Sequence, residues 1–136
     1  MKASEIIIKK LKSMGGHVDI KQLNGNVTDF FFVKDYTFWS SGLYKLINEG
    51  YLFEMFDLLE KESYRFLNRC IPKGNARKYK LGEVGCSMDT AVGILGYLYY
   101  KKETGESIYE PMHVIAAVLE WAGIAKNKRG YIQFYQ

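Results

Sequence analysis

Ser87-Met-Asp-Thr-Ala-Val-Gly-Ile-Leu-Gly-Tyr-Leu-Tyr-Tyr100 sets the reading of the fold. Asp89 is its one charge, and the apolar residues crowd closely enough that the stretch reads as a rigid, buried helix. A carboxylate at the start of a helix caps free N–H groups and complements the dipole, which is the role expected of Asp89. Gly105 lies just beyond the helix end. Gly93 and Gly96 let another backbone approach closely, so they predict an internal helix contact or a dimer seam.

Outward from this helix, Pro111 suits the first turn of another that buries Val114, Ile115, Val118, Leu119 and Trp121. After Gly123 the chain reads as a turn, with Tyr131–Tyr135 as a short β-strand. On the other side, Pro72 and Gly74 force a loop after a helix expected over Glu60–Cys70, which continues one over Leu52–Leu59. Leu43, Leu46 and Ile47 repeat at helical spacing before Gly50. Residues 2–14 place Ile6, Ile7, Leu11 and Met14 on one helical face, with Ser4 to cap the start and Gly15-Gly16 to end it. Asn24-Gly25 is a turn signal, and His17–Leu23 reads as a strand or a turn. Phe30, Phe31, Phe32 and Val33 fit a strand and a buried helix alike, because periodicity does not settle a short apolar run. These readings add up to a mostly α, compact helical domain with minor β at the C-terminus, a single domain over 1–136 with no linker.

Hydrophobic residues make up 48% of the 136 and charged residues 25%, the balance of an ordinary globular protein, and long disorder is not expected. Eleven tyrosines serve core packing, an interface or base stacking. A net charge of +4 biases the chain mildly toward anionic partners, less than DNA packaging demands. No apolar run is long enough to span a bilayer, no secretory signal is expected, and Cys70 and Cys86 form no CxxC pair. A cytoplasmic protein with reduced thiols, not bound to membranes, is the expectation.

The charge is unevenly placed. Residues 63–82 carry Arg65, Arg69, Lys73, Arg77, Lys78 and Lys80 and no acid. Charge runs usually form solvated faces. Here the missing acids leave the positive field uncancelled, Arg65 and Arg69 share a helical face, and Gly74 and Asn75 let the backbone approach a phosphate. Arg65, Arg69, Lys73, Asn75, Arg77, Lys78 and Lys80 are therefore the candidate nucleic-acid contacts, giving salt-sensitive affinity without sequence choice. Chemistry is less explicit. His17 and His113 lie far apart and away from the cysteines, so no zinc site is expected, and His113 within an apolar helix reads as structural. Nucleotide-binding and hydrolase motifs are absent. Asp35 and Asp89 are the weak catalytic candidates, as carboxylates able to hold Mg²⁺. No other cofactor is expected, and the chain reads more as a binder than an enzyme.

Three fragments together resemble the ribonuclease III catalytic domain, in its short Mini-ribonuclease III form, patchily over residues 19–105. Asp19-Ile-Lys-Gln-Leu-Asn-Gly25 is similar to the opening segment of that domain. Lys73-Gly-Asn-Ala-Arg77 resembles its RNA-contacting basic loop, and Asp89-Thr-Ala-Val-Gly-Ile-Leu-Gly-Tyr-Leu-Tyr99 its signature helix. The resemblance implies a helical homodimer that grips structured RNA in preference to DNA, with Mg²⁺ needed only if it cleaves. It departs from the family where Val92 replaces a metal-binding Glu, and where only Asp35 and Trp39 stand for the first acidic signature. A degenerate metal site follows.

The N-terminal helix with Gly15-Gly16, the Ser40–Tyr51 segment ending Asn-Glu-Gly-Tyr, and the closing Glu120-Trp-Ala-Gly-Ile and Gly130-Tyr-Ile-Gln-Phe134 stretches resemble winged-helix DNA-binding modules. This resemblance would place Ser40, Ser41, Tyr44 and Lys45 on or near a recognition helix, and Lys126, Lys128 and Arg129 in the wing. A third reading is a protein-interaction module whose tyrosines form the interface.

Overall fold

Asn24-Gly25 turns the chain back on itself. Gly25 adopts φ +91°, the Gln22 N–H donates to the Asn26 carbonyl, and the Asn24 side chain accepts from the Asn26 N–H. This turn joins β1 (His17–Lys21) to β2 (Val27–Lys34) in antiparallel register from His17 opposite Phe31 to Lys21 opposite Val27. The Phe30 run is thus a strand, as expected of aromatic and β-branched residues alternating between two faces. Thr28 and Phe30 are buried, while Val27 and Val33 are exposed. β3 (Thr37–Ser40) and β4 (Tyr51–Leu52) extend the meander, with a bulge between Phe32 and Lys34. The computed structural model describes residues 1–34, 36–41, 50–109 and 111–135. The helix expected around Leu43, Leu46 and Ile47 lies outside the described residues.

A second antiparallel sheet has the order β5 (Cys70–Pro72), β7 (Tyr131–Phe134), β6 (Ala125–Lys128). With 37% helix, 24% strand and two sheets, the fold is α+β, and the expectation of a mostly α, helical domain is corrected. Two physical causes account for the difference. Strands of two to four residues are too short to show a period, and β5 finds its partner in β7, some sixty residues away. The helix expected over Glu60–Cys70 is also shorter: α2 spans Glu54–Ser63, and Asn68 and Arg69 take φ of 54° and 55°, which a right-handed helix cannot accommodate.

α1 (Ala3–Ser13) buries Ala3, Ile7 and Leu11, whereas Met14 is half-exposed beyond its end. Ser4 does not cap the helix from within. Instead the Ala3 N–H donates to Glu60, and the Ser4 N–H and hydroxyl donate to Asp57, so α2 satisfies the free N–H groups of α1 and locks the two helices together. Gly15 and Gly16, both at positive φ, close the C-terminal end.

The stretch from Ser87 becomes helical only at Ala91. α3 (Ala91–Ile94) is capped by Thr90, whose hydroxyl accepts from the Gly93 N–H at 3.1 Å, and a π-turn follows over Leu95–Tyr99. Asp89, expected as the cap, is exposed and donates its N–H to the Ser87 hydroxyl. A Cβ on Gly93 would overlap the Ser87 carbonyl, and one on Gly96 would sit 2.7 Å from Leu81 Cδ1. The close approaches these glycines permit are internal, and the pair supplies no seam for a second copy.

α4 (Met112–Trp121) packs against both β6 and β1, between the two sheets, which is why Val114–Leu119 are buried all round. Phe30, Phe38, Phe53 and Phe56 form the aromatic centre of the core, with Trp121 against Phe30 at 5.9 Å. Among the described residues no helix is long and apolar enough to cross a membrane.

Candidate nucleic-acid interface

The segment after β5 is held by backbone bonds on three sides. The Lys73 N–H donates to Gly130 (2.8 Å) in the β6–β7 turn, the Lys73 carbonyl accepts from Val92 (3.1 Å), and the Asn75 N–H donates to Gly85 (2.8 Å). The Asn75 side-chain oxygen accepts from the Arg77 and Lys78 N–H groups, folding residues 75–78 into a tight turn. Gly74 sits at φ +79°, and a Cβ there would meet the Gly85 carbonyl, Val92 and Thr90 at 2.6–2.8 Å. Glycine is therefore required at this position by both conformation and space.

This loop forms one wall of a cleft of about 860 Å³. The opposite wall is the end of the β1–β2 hairpin, with Gln22, Asn24, Asn26, Val27 and Thr28, and Ser41 lies at the end of β3. Met112 and His113 in the first turn of α4 and Gly130 complete it. A smaller recess of about 250 Å³ shares Gln22, Asn24, Lys73, His113 and Gly130 and adds Leu23, Asn127 and Arg129. None of the described residues lining either space is a carboxylate.

Lys73 is half-buried, and its ammonium donates to the Asn127 side-chain oxygen at 2.6 Å. Asn127 is itself buried and donates its N–H to Glu120. Burial lowers the Lys73 pKa, an effect that Glu120 partly opposes. Burial also lowers the His113 pKa, and the positive charges of Arg77 and Lys73 lower it further. His113 is thus neutral at pH 7. The side chains of Arg77, His113 and Arg129 make no hydrogen bond or ion pair with another described residue. The positive charge of Lys73, only partly offset by Glu120, together with that of Arg77 and Arg129 favours an anion in a cleft whose neutral lining donates hydrogen bonds.

No protein-family model, curated protein or solved structure matches the chain. The site is therefore read from its own residues.

Of the expected contacts, Lys73, Asn75 and Arg77 line the cleft; Lys78 and Lys80 are exposed further along the same loop but do not line it. Arg65 and Arg69 are not part of it. Arg69 is 8% exposed, donates to the Ser63 hydroxyl and the Tyr135 carbonyl, and lies over the rings of Tyr64 and Phe134. The left-handed turn at Asn68–Arg69 breaks the helical face that was to align it with Arg65. Arg65 pairs with Glu62 (2.8 Å), bonds the Met88 carbonyl and approaches Asp89 at 3.7 Å, so its charge is compensated locally.

The carboxylate candidates do not assemble. Asp89 is exposed and faces Arg65, Val92 is buried in the core, and Asp35 lies outside the described residues. Among the described residues no three His, Cys, Asp or Glu side chains group as metal ligands. For the winged-helix reading, Lys126, Lys128 and Arg129 do lie on a β-hairpin, but Ser40 is a buried strand residue and Tyr44 and Lys45 are outside the described residues. α4 shows solvent only its ends, through His113 and Glu120, and presents no reading face to a groove.

Gln22, Asn24, Asn26 and His113 line the cleft without having been expected there. Pro111 was a usable signal for His113, because a helix starting there puts His113 in the first turn, at the rim rather than in the core. The hairpin amides carry no such signal, since Asn-Gly marks a turn whether or not the turn binds anything.

Proposed function

We propose that the protein binds structured RNA in this cleft. One observation carries the reading: Lys73, Arg77 and His113 line the cleft, Lys73, His113 and Arg129 line the recess that shares its residues, and neither has a carboxylate among its described lining residues. Cations position phosphates, and the hairpin amides with the exposed Ser41 can donate to and accept from ribose 2′-hydroxyls and base edges. Pockets for small apolar ligands are lined mainly by hydrophobic side chains, whereas among the described lining residues only Val27, Met112 and Leu23 are large and apolar. Binding, not cleavage, is what these groups support.

The test is a fluorescence titration of a hairpin RNA and a matched DNA duplex at several salt concentrations. RNA should bind more tightly, with a log–log salt slope of about −2 to −3 for three phosphate contacts. Equal or stronger DNA binding, or affinity indifferent to salt, would count against the reading.

Affinity should also depend on pH. Because the His113 pKa lies below its usual value, the ring is neutral at pH 7.5 and gains its charge as pH falls. A bound phosphate favours that charge, so lowering the pH from 7.5 to 5.5 should tighten binding. If the phosphate raises the His113 pKa by about one unit, the gain is at most about tenfold. His113→Gln should flatten the profile. A profile unchanged by that substitution would remove His113 from the site.

A further inference from the structure

We infer that the smaller recess takes a terminal phosphomonoester, so that the cleft selects RNA ends bearing a phosphate. This inference rests on the RNA reading of the same cleft. The recess, at about 250 Å³, has room for one phosphate and its sugar beside the wider 860 Å³ cleft. Two cations, Lys73 and Arg129, line this small space, and neutral His113, Gln22, Asn24 and Asn127 are the polar groups between them. A phosphodiester within a chain carries one negative charge, whereas a monoester carries between one and two near neutral pH. The recess matches the more highly charged end.

The donors are also fixed in advance. Asn127 is 3% exposed and holds the Lys73 ammonium at 2.6 Å, leaving two ammonium hydrogens for a ligand. Preorganised donors lose less entropy on binding than free lysines on a surface. Lys73 and Gly130, both lining the recess, are joined by a backbone hydrogen bond that fixes the loop after β5 against the β6–β7 turn. Arg129, exposed at the turn and without a partner among the described residues, supplies the fork that can grip two phosphate oxygens.

The experiment compares one hairpin RNA prepared with a 5′-phosphate, with a 3′-phosphate and with hydroxyls at both ends, titrated into the full chain at fixed pH and salt. One phosphorylated form should bind about tenfold more tightly than the hydroxyl form, and which one does so identifies the end. In Arg129→Gln the ratio of the two affinities should fall to about one, while circular dichroism verifies the fold. Equal affinity of the wild-type chain for all three RNAs would overturn the inference and leave the RNA reading standing. Failure to bind any of them would overturn both.

Discussion

Arg77→Glu combined with Arg129→Glu will weaken RNA binding by about 100-fold at 0.1 M salt and make the salt slope shallower. The two residues stand on different walls: Arg77 on the loop after β5, and Arg129 in the β6–β7 turn beside the smaller recess. Neither has a partner among the described residues, so neither substitution breaks an existing ion pair, and both positions are exposed. The loss should therefore appear in affinity and not in thermal stability. Lys9→Glu with Lys12→Glu on α1 changes the net charge equally but away from the cleft, and should change affinity less than about threefold. Fluorescence titration of both double variants separates a local site from a general charge effect. Equal losses would mean that net charge alone draws the RNA.

Gly74→Ala is expected to be the most damaging single change at the site. The position needs φ near +79°, which costs an L-residue about 1–2 kcal/mol, and the new methyl would press on the Gly85 carbonyl, Val92 and Thr90. Overpacking of this kind costs about 1–3 kcal/mol more. The sum, about 3 kcal/mol, corresponds to a melting temperature lower by roughly 10 °C for a chain of this size. The loop that carries Lys73 and Arg77 must shift to relieve the contact, so RNA affinity should fall as well. Differential scanning calorimetry and titration of the same sample check both effects; an unchanged melting temperature would mean that the loop is looser than its hydrogen bonds imply.

The difference between what the sequence disclosed and what it concealed has identifiable causes. The basic loop was legible because its message is local: Lys73, Asn75 and Arg77 lie within five residues, and the neighbouring Gly74 marks a backbone that no side chain can crowd. Arg65 and Arg69 stand apart from the cleft, and what compensates them is not local in the same sense. Glu62 lies one residue outside the acid-free window, and Arg69 is turned inward onto Ser63, Tyr64 and the C-terminal strand by two left-handed residues that no pattern announced. For the fold, helix propensity was plain in α1 and α4, where the apolar spacing extends over ten residues or more. The two sheets were obscured by their own dimensions. β4 and β5 are two and three residues long, and their existence depends on partners that only the folded chain brings alongside.

Asp89 illustrates how neighbouring polar residues compete for one structural role. A carboxylate two residues before Ala91 is a credible cap, yet Thr90, the residue directly before the helix, has its hydroxyl within reach of the Gly93 N–H and takes the position. Asp89 is left in solvent beside Arg65. The far wall of the cleft was illegible for a simpler reason. Gln22, Asn24 and Asn26 meet Lys73 and Arg129 only because α4 packs against both sheets and so sets the β1–β2 hairpin opposite the loop after β5.

The most direct test of the central claim is a map of backbone amide chemical shifts during titration with a hairpin RNA. The account predicts that the largest changes fall in residues 22–28, 73–78, 112–113 and 129–130, the walls of one cleft. Changes concentrated instead on α1 around Lys9 and Lys12, or around Arg65 and Arg69, would place the RNA on another surface and contradict it.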